Sequence, residues 1–215
     1  MNDIKPVIIL GSGGHAKVVL DTLLLENIEI LGCITPDMKA GEKFCNQITV
    51  LGSDEKIAKY KPGDVILVNG IGAMPYKNLR WKIAKQLRDK GYKFKKVIHP
   101  SAVIARDIVF EEGVQVMAGV VIQPGTVIGT DSIINTGVLL DHDCKIAKNC
   151  HLAPGVICSG GVNIDMGTHI GTGTTVIQNI CIGKDSVIAS GSSIYKDVAD
   201  NVKLIQSRQL KQIQR

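Results

Sequence analysis

Residues 99–194 read HPSAVI ARDIVF EEGVQV MAGVVI QPGTVI GTDSII NTGVLL DHDCKI AKNCHL APGVIC SGGVNI DMGTHI GTGTTV IQNICI GKDSVI ASGSSI, sixteen blocks of six without a gap. Every sixth letter is apolar, the fourth is small or β-branched, and the first three favour Gly, Ala, Asn, Asp and Pro. That period is the signature of a parallel β-helix built from hexapeptides. In each short strand the fourth and sixth residues point into the prism, the fifth points out, and the first three turn a corner. Glycine at a corner tolerates positive φ and close backbone approach. Three blocks close one triangular coil of eighteen residues, so sixteen blocks make a little over five coils.

The chain before the repeat has a different pattern. PVIILG, IEILGCIT and DVILVNG read as short apolar strands, and HAKVVLDTLLLEN and YKNLRWKIAKQLRDKG as amphipathic helices between and after them. This βαβ alternation implies a small parallel sheet covered on both faces. The expected organisation is an α/β Rossmann-like domain over residues 1–95, a β-helix over 96–198 and a tail over 199–215.

The 215 residues suffice to bury a substantial core. Apolar residues make up 45% and charged residues 21%, no apolar run is long enough to cross a bilayer, and MNDIKPVIIL has no basic-then-apolar leader, so a cytoplasmic protein is expected. The six cysteines form no CxxC pair and sit in apolar runs, which points to buried reduced thiols rather than disulfides or zinc. The formal charge of +5 gathers in YKFKK and the tail from Lys203. A solvated surface or an anionic ligand such as a nucleotide or coenzyme phosphate accounts for it; sparse aromatics give nucleic-acid bases little to stack on.

The triplet DHD, Asp141, His142 and Asp143, stands out in this apolar staircase. It fills letters one to three of its block, so the imidazole faces outward and is available to a ligand. A neutral histidine near pH 7 suits general-base work, and an adjacent carboxylate can fix its tautomer. Asp141 suits an Asx-type bond at the corner. His151 and His169 both occupy the outward fifth position one coil apart and should stack; no third histidine or carboxylate completes a zinc set, so no metal is expected. GSGGHA, with Gly11, Gly13, Gly14 and His15, ends the first strand and opens a helix, where backbone N–H groups make an anion site.

IILGSGGHAKVVLD (residues 8–21), VIHPSAVIA (97–105) and IINTGVLLDHDCKI (133–146) together resemble the sugar acyltransferase family of the left-handed β-helix. That family includes bacillosamine-type and perosamine-type nucleotide-sugar N-acetyltransferases and sialic acid O-acetyltransferases. The resemblance spans nearly the whole chain. It implies a homotrimer using acetyl-CoA, with His142 as catalytic base, Asp143 as its acidic partner, and His151, Gly155 and Gly173 beside the coenzyme groove, the Gly155 N–H meeting the thioester oxygen. The acceptor site implied comprises Gly11, Gly13, Gly14, His15 and Asp37, with Asn69 and Gly70 either lining a second loop or forming a plain turn. Asn135 matches a residue near the sugar and is equally a favourable corner residue.

Two departures from the family pattern bear on specificity. Thr35 and Pro36 stand where uridine-binding relatives carry paired acidic residues, which counts against uracil and leaves GDP-, dTDP- or CMP-linked sugars or a free sugar acid open, the base itself (UDP, dTDP or GDP) being unassigned by the sequence. The chain ends NVKLIQSRQLKQIQR in place of a Gly-Val-Pro-Ala segment, so Lys203, Arg208, Lys211 and Arg215 either supply phosphate charge or form a packed tail. The expected chemistry is direct N-acetylation of a nucleotide-linked 4-amino-4,6-dideoxy sugar, with O-acetylation of a sialic or related nonulosonic acid as the alternative. No cysteine is an evident nucleophile, because Cys144, Cys150 and Cys158 fall on inward letters.

Overall fold

The computed structural model describes residues 5–206. Arg208, Lys211 and Arg215 lie outside the described residues.

The N-terminal part is built from β1 (Val7–Leu10), α1 (Gly14–Leu25), β2 (Ile30–Ile34), β3 (Lys43–Phe44), β4 (Ile48–Gly52), β5 (Ile66–Asn69) and α2 (Leu79–Asp89). The sheet order is β3-β4-β2-β1-β5; all neighbours are parallel except β3 with β4. The apolar runs read from the sequence become the buried strands β1, β2 and β5, and the antiparallel β3–β4 pair extends them. As expected, both faces of the sheet are covered. Ala16, Val19, Leu20 and Leu23 of α1 pack on one side, and Ala84 and Leu87 of α2 pack with Tyr92 and Phe94 on the other. The second helix starts at Leu79 rather than near Tyr76, because Tyr76 has φ +63°, a left-handed conformation that no α-helix accommodates.

The C-terminal part is the left-handed parallel β-helix that the hexapeptide period implies. Its two-residue strands form three faces of seven, six and five strands, beginning with Val97–Ile98, Val103–Ile104 and Val109–Phe110 respectively. Strands pair with those eighteen residues away, as in Ile133 with His151 and His151 with His169. The step breaks after Ile194: Lys203–Leu204 pairs with Val187–Ile188 at a separation of sixteen, so the stretch expected as a tail from residue 199 begins inside the last coil.

Two details explain the block grammar. From Gly113 to Gly191 every third letter has positive φ, and the residues there are Gly, Asp or Asn, which carry the smallest penalty for that geometry. The small fourth letters are inward hydroxyls and thiols that satisfy corner carbonyls fifteen residues on: Ser132 donates to Ala147 at 2.7 Å, Thr168 to Gly183 at 2.8 Å and Cys150 to Asp165 at 3.1 Å. A β-branched alkane there would leave those buried carbonyls with one fewer donor. Cys33, Cys144, Cys150 and Cys158 are buried and free as expected, but Cys45 and Cys181 are exposed; Cys181 sits on an outward fifth letter.

The two parts share a core, since Val97 and Met117 of the prism join the cluster under α1. They are also clamped by Arg88 of α2, which holds both oxygens of Asp131 at 2.5 and 2.8 Å and Glu112 at 2.9 Å, with its guanidinium 4.6 Å over the Phe94 ring. The Asp131 side chain is only 4% exposed. Removing the cation therefore leaves a carboxylate with little water to stabilise it, and we expect Arg88→Ala to cost about 2–4 kcal/mol, part of the full penalty because Arg88 itself is partly solvated. Thermal unfolding should show that loss, and Arg88→Met/Asp131→Asn should recover part of it; equal stability of Arg88→Ala and wild type would refute the clamp.

Candidate active site

The C-terminal ends of β1, β2 and β5 open onto a cavity of about 800 Å³ that runs down to the first face of the prism. Its centre is the glycine loop. Gly11 has φ +89° and lies against Ile71, while Gly70 is so close to Ala16 and the Leu10 carbonyl that a Cβ would sit 2.8 Å from each. Gly13 caps α1 and Gly14 begins it, so the first-turn N–H groups face the cavity mouth as the loop reading expects. Asp37 lines the cavity at the end of β2, in a turn where its own N–H donates to Thr35 Oγ1 at 3.2 Å. Asn135 and His151 close it from the prism side.

His15 links this loop to the prism. Its Nε2 lies 2.6 Å from Gln115 Oε1, and Gln115 Nε2 donates to the Asn69 carbonyl at 2.8 Å. Because a carbonyl only accepts, the Gln115 amide is fixed in orientation, so His15 carries its proton on Nε2 and leaves Nδ1 as a lone-pair acceptor. Burial, with the Arg80 guanidinium second, lowers the His15 pKa to about 4, so the ring stays neutral near pH 7. The Asn69 side chain, named above for the second loop, is turned inward: Nδ2 donates to the Arg80 carbonyl and Oδ1 accepts the Ile71 N–H. Arg80 is 1% exposed and donates from Nη1 to the carbonyls of Asn69 and Ile71, both at 2.7 Å. This loop is thus held by a buried cation, whose pKa burial lowers to about 10.

On the prism, Asn135 Oδ1 accepts the Thr136 N–H at 2.8 Å, which aims Nδ2 at His151 Nε2, 3.2 Å away. His151 Nδ1 therefore bears the proton and faces His169 Nδ1 at 3.2 Å. The expected vertical stack of the two histidines is present, as an edge-on pair bonded to each other. Burial first, then His169, holds the His151 pKa down at about 3. No group of three potential ligands is set up for a metal among the described residues.

His142 occupies a different corner, between the second and third faces, and is exposed. Its Nδ1 lies 2.8 Å from Asp143 Oδ2, and its own N–H donates to Asp141 Oδ1 at 2.8 Å, a bond to the next residue in place of an Asx turn, because the Asp143 N–H is taken by the Pro124 carbonyl. Asp143 is a third-letter residue with φ +59°, so the corner rule and the contact to the imidazole are met by one side chain. The ring lies over Gly160, where a Cβ would stand 2.5 Å from Nε2. The Asp143 hydrogen bond, then the Asp141 charge, raises the His142 pKa. With Nδ1–H held by the carboxylate, Nε2 presents its lone pair to solvent, the form a proton acceptor requires.

Residues 6–87 match the family described as the PglD N-terminal domain. No curated protein matches the chain. Solved structures match over nearly all of it: PerB from Caulobacter crescentus, in complex with CoA and GDP-perosamine, is 34% identical over 92% of both chains with a TM-score of 0.82. Perosamine N-acetyltransferase from Caulobacter crescentus, with the same two ligands, is 32% identical over 93% of this chain and 94% of that one, TM-score 0.83. The acetyltransferase domain of PglB from Neisseria gonorrhoeae, in complex with acetyl coenzyme A, is 26% identical over 92% and 94%, TM-score 0.83. The chain belongs to the sugar N-acetyltransferases of the hexapeptide-repeat β-helix family.

In this acetyltransferase the two glycines named for the coenzyme groove stack on the corner between the first and second faces. Gly155 and Gly173 have φ +69° and +66°, and nothing lies within 4 Å of where a Cβ would be, so the corner offers an open surface to a long ligand. Their N–H groups are engaged, Gly155 with the Thr136 carbonyl and Gly173 with that of Pro154, both at 3.0 Å. The oxyanion contact expected of the Gly155 N–H therefore conflicts with the coil's own hydrogen bonding. Burial pushes the Cys144 thiol up to about 11 and Cys150 to about 12, which leaves neither as a nucleophile.

Gln115 and Arg80 were not singled out from sequence. Gln115 does carry a signal, a polar residue on an outward fifth letter that turns out to be 1% exposed. If it sets the His15 tautomer, ring-nitrogen NMR should show wild-type His15 as a single Nε2–H form around pH 7, and Gln115→Leu as a mixture with the Nδ1–H form. An unchanged single tautomer in Gln115→Leu would show that Gln115 is only a spacer.

Proposed function

We propose that the protein transfers acetyl from acetyl-CoA to the 4-amino group of a nucleotide-linked 4-amino-4,6-dideoxy sugar, with His142 as general base. The observation that carries this reading is the exposed His142–Asp143 pair at 2.8 Å, in a chain 34% identical to a protein that binds CoA and GDP-perosamine. The diphosphate lies on the N–H groups of the Gly11–Gly14 loop, Asp37 takes the ribose, and the sugar points toward His15, Asn135 and His151. As the amine nitrogen forms its bond to the thioester carbonyl carbon and the carbon–sulfur bond breaks, His142 Nε2 takes the amine proton and the CoA sulfur leaves as thiolate. Asp143 stabilises the imidazolium that results. The reaction fits the cytoplasm, where acetyl-CoA and nucleotide sugars are available.

A second copy completes the site. The first face is covered by the N-terminal part, whereas the second face presents a column of outward apolar residues, Val103, Val121, Leu139 and Ile157, in direct register. Val103 is 65% exposed and Ile157 41%. Such a column marks an interface, and a closed threefold ring buries it on every copy. In that ring one end of each second face meets the opposite end of its neighbour's, so the His142 corner of one copy approaches the Gly155, Gly173 and Asn135 corner of the next. Acetyl-CoA then lies in the groove between prisms. Within one prism those corners stand at opposite edges of the second face.

Three outcomes are expected. Release of CoA thiol, measured on a panel of nucleotide-linked 4-amino-4,6-dideoxy sugars with free sialic acid as the hydroxyl acceptor, should reveal an amino-sugar substrate, and His142→Ala should lower kcat about 100-fold or more with little change in acceptor KM. Turnover of sialic acid alone would contradict the amine reading. The base works unprotonated, so kcat/KM falls as pH drops through the His142 pKa, which Asp143 and Asp141 hold above its ordinary value; Asp143→Asn should move that acid limb to lower pH and reduce the plateau. Ile157→Asp should give monomers by light scattering and abolish activity, and an active monomer would exclude the shared site.

A further inference from the structure

One end of the cavity is not used by the phosphates or the amino sugar. Beyond the glycine loop it runs between the 3₁₀ turn Asp54–Lys59 and α2, where Ile57, Ile83 and Leu87, all of the N-terminal part, form apolar walls. Three polar side chains line this slot, Asp54 from the turn and Gln86 and Lys90 from the end of α2. All three are exposed, and none makes a side-chain hydrogen bond or ion pair with another described residue. An apolar slot of this kind suits a flat heterocycle. A diphosphate on the Gly11–Gly14 loop with its ribose at Asp37 directs the base into it, because the sugar end must face the prism.

The polar pattern of the slot discriminates among bases. A carboxylate accepts two parallel N–H bonds in a fork, and an ammonium group donates. Guanine carries two adjacent donors, N1–H and the 2-amino group, followed by the O6 acceptor. Uracil and thymine offer a single N–H flanked by two carbonyl oxygens, which a carboxylate repels. Adenine and cytosine set one amino donor beside an acceptor nitrogen. We propose that Asp54 selects guanine by accepting N1–H and the 2-amino group, with Lys90 donating to O6, so that the acceptor substrate is a guanosine diphosphate sugar. This rests on the nucleotide-sugar reading above and specifies its base.

Calorimetric titration of the full-length protein with GDP, IDP, UDP and dTDP tests the proposal without requiring turnover. GDP should bind roughly 10- to 100-fold more tightly than UDP or dTDP, and IDP, which lacks the 2-amino group, should fall between. Asp54→Ala should weaken GDP and remove the repulsion on UDP, so that the two affinities converge, and retained UDP binding also shows that the variant is folded with an intact phosphate loop. The assignment is overturned if UDP or dTDP binds as tightly as GDP, or if Asp54→Ala keeps the wild-type ratio of GDP to UDP affinity. Should wild type bind no nucleoside diphosphate at all, the nucleotide-sugar reading itself falls, and the base assignment with it.

Discussion

The prism exists because its two-residue strands, up to Ile194, hydrogen-bond to neighbours one coil away, at a separation of eighteen residues. A slip of one residue would turn every inward Ile and Val outward and every outward residue in. The third-letter requirement for positive φ reinforces that register, since a slip would also place β-branched residues in the left-handed region. This double constraint makes corners and fifth letters fixed addresses on the surface. Any chemistry carried by the prism must occupy one of those addresses.

The chain uses two kinds of address for two kinds of histidine. His151 and His169 stand on fifth letters of the face that the N-terminal part covers, where burial lowers both pKa values and leaves neutral rings suited to hydrogen bonding. His142 stands on an exposed corner between carboxylates, which raise its pKa. The same side chain is thereby set toward opposite protonation preferences by position in the coil alone. The exposed ring of His142 keeps Nε2 free while Asp143 holds Nδ1, and that arrangement is what a base for an amine requires.

The architecture was legible because the six-residue period repeats the same physical decision sixteen times. The outward placement of the DHD triplet was legible too, since it fills the three corner letters of its block. Less legible were contacts between elements far apart in sequence. Nothing in KNLRWKIAKQLR signals that Arg80 turns inward under the Asn69 loop, or that Arg88 reaches Asp131, forty-three residues on. The exposed Cys181 was misread because apolar neighbours were weighed above its fifth-letter position. The Gly155 reading missed the coil's own use of that N–H, which only the corner hydrogen bonds reveal.

The separation of parts has a consequence for how such an enzyme changes substrate. The prism supplies the proposed base and the proposed coenzyme groove from residues that the coil register fixes, so few substitutions there leave both fold and chemistry intact. The proposed acceptor site lies instead on loops at the C-terminal ends of β1, β2, β4 and β5, which the register does not constrain. Gln115 and the Arg88 clamp hold those loops at a fixed position on the prism. A residue such as Asp54 can therefore vary without moving His15 or the phosphate loop. In this arrangement specificity for the nucleotide is separable from the proton chemistry, because the two are built on parts of the chain with different geometric freedom.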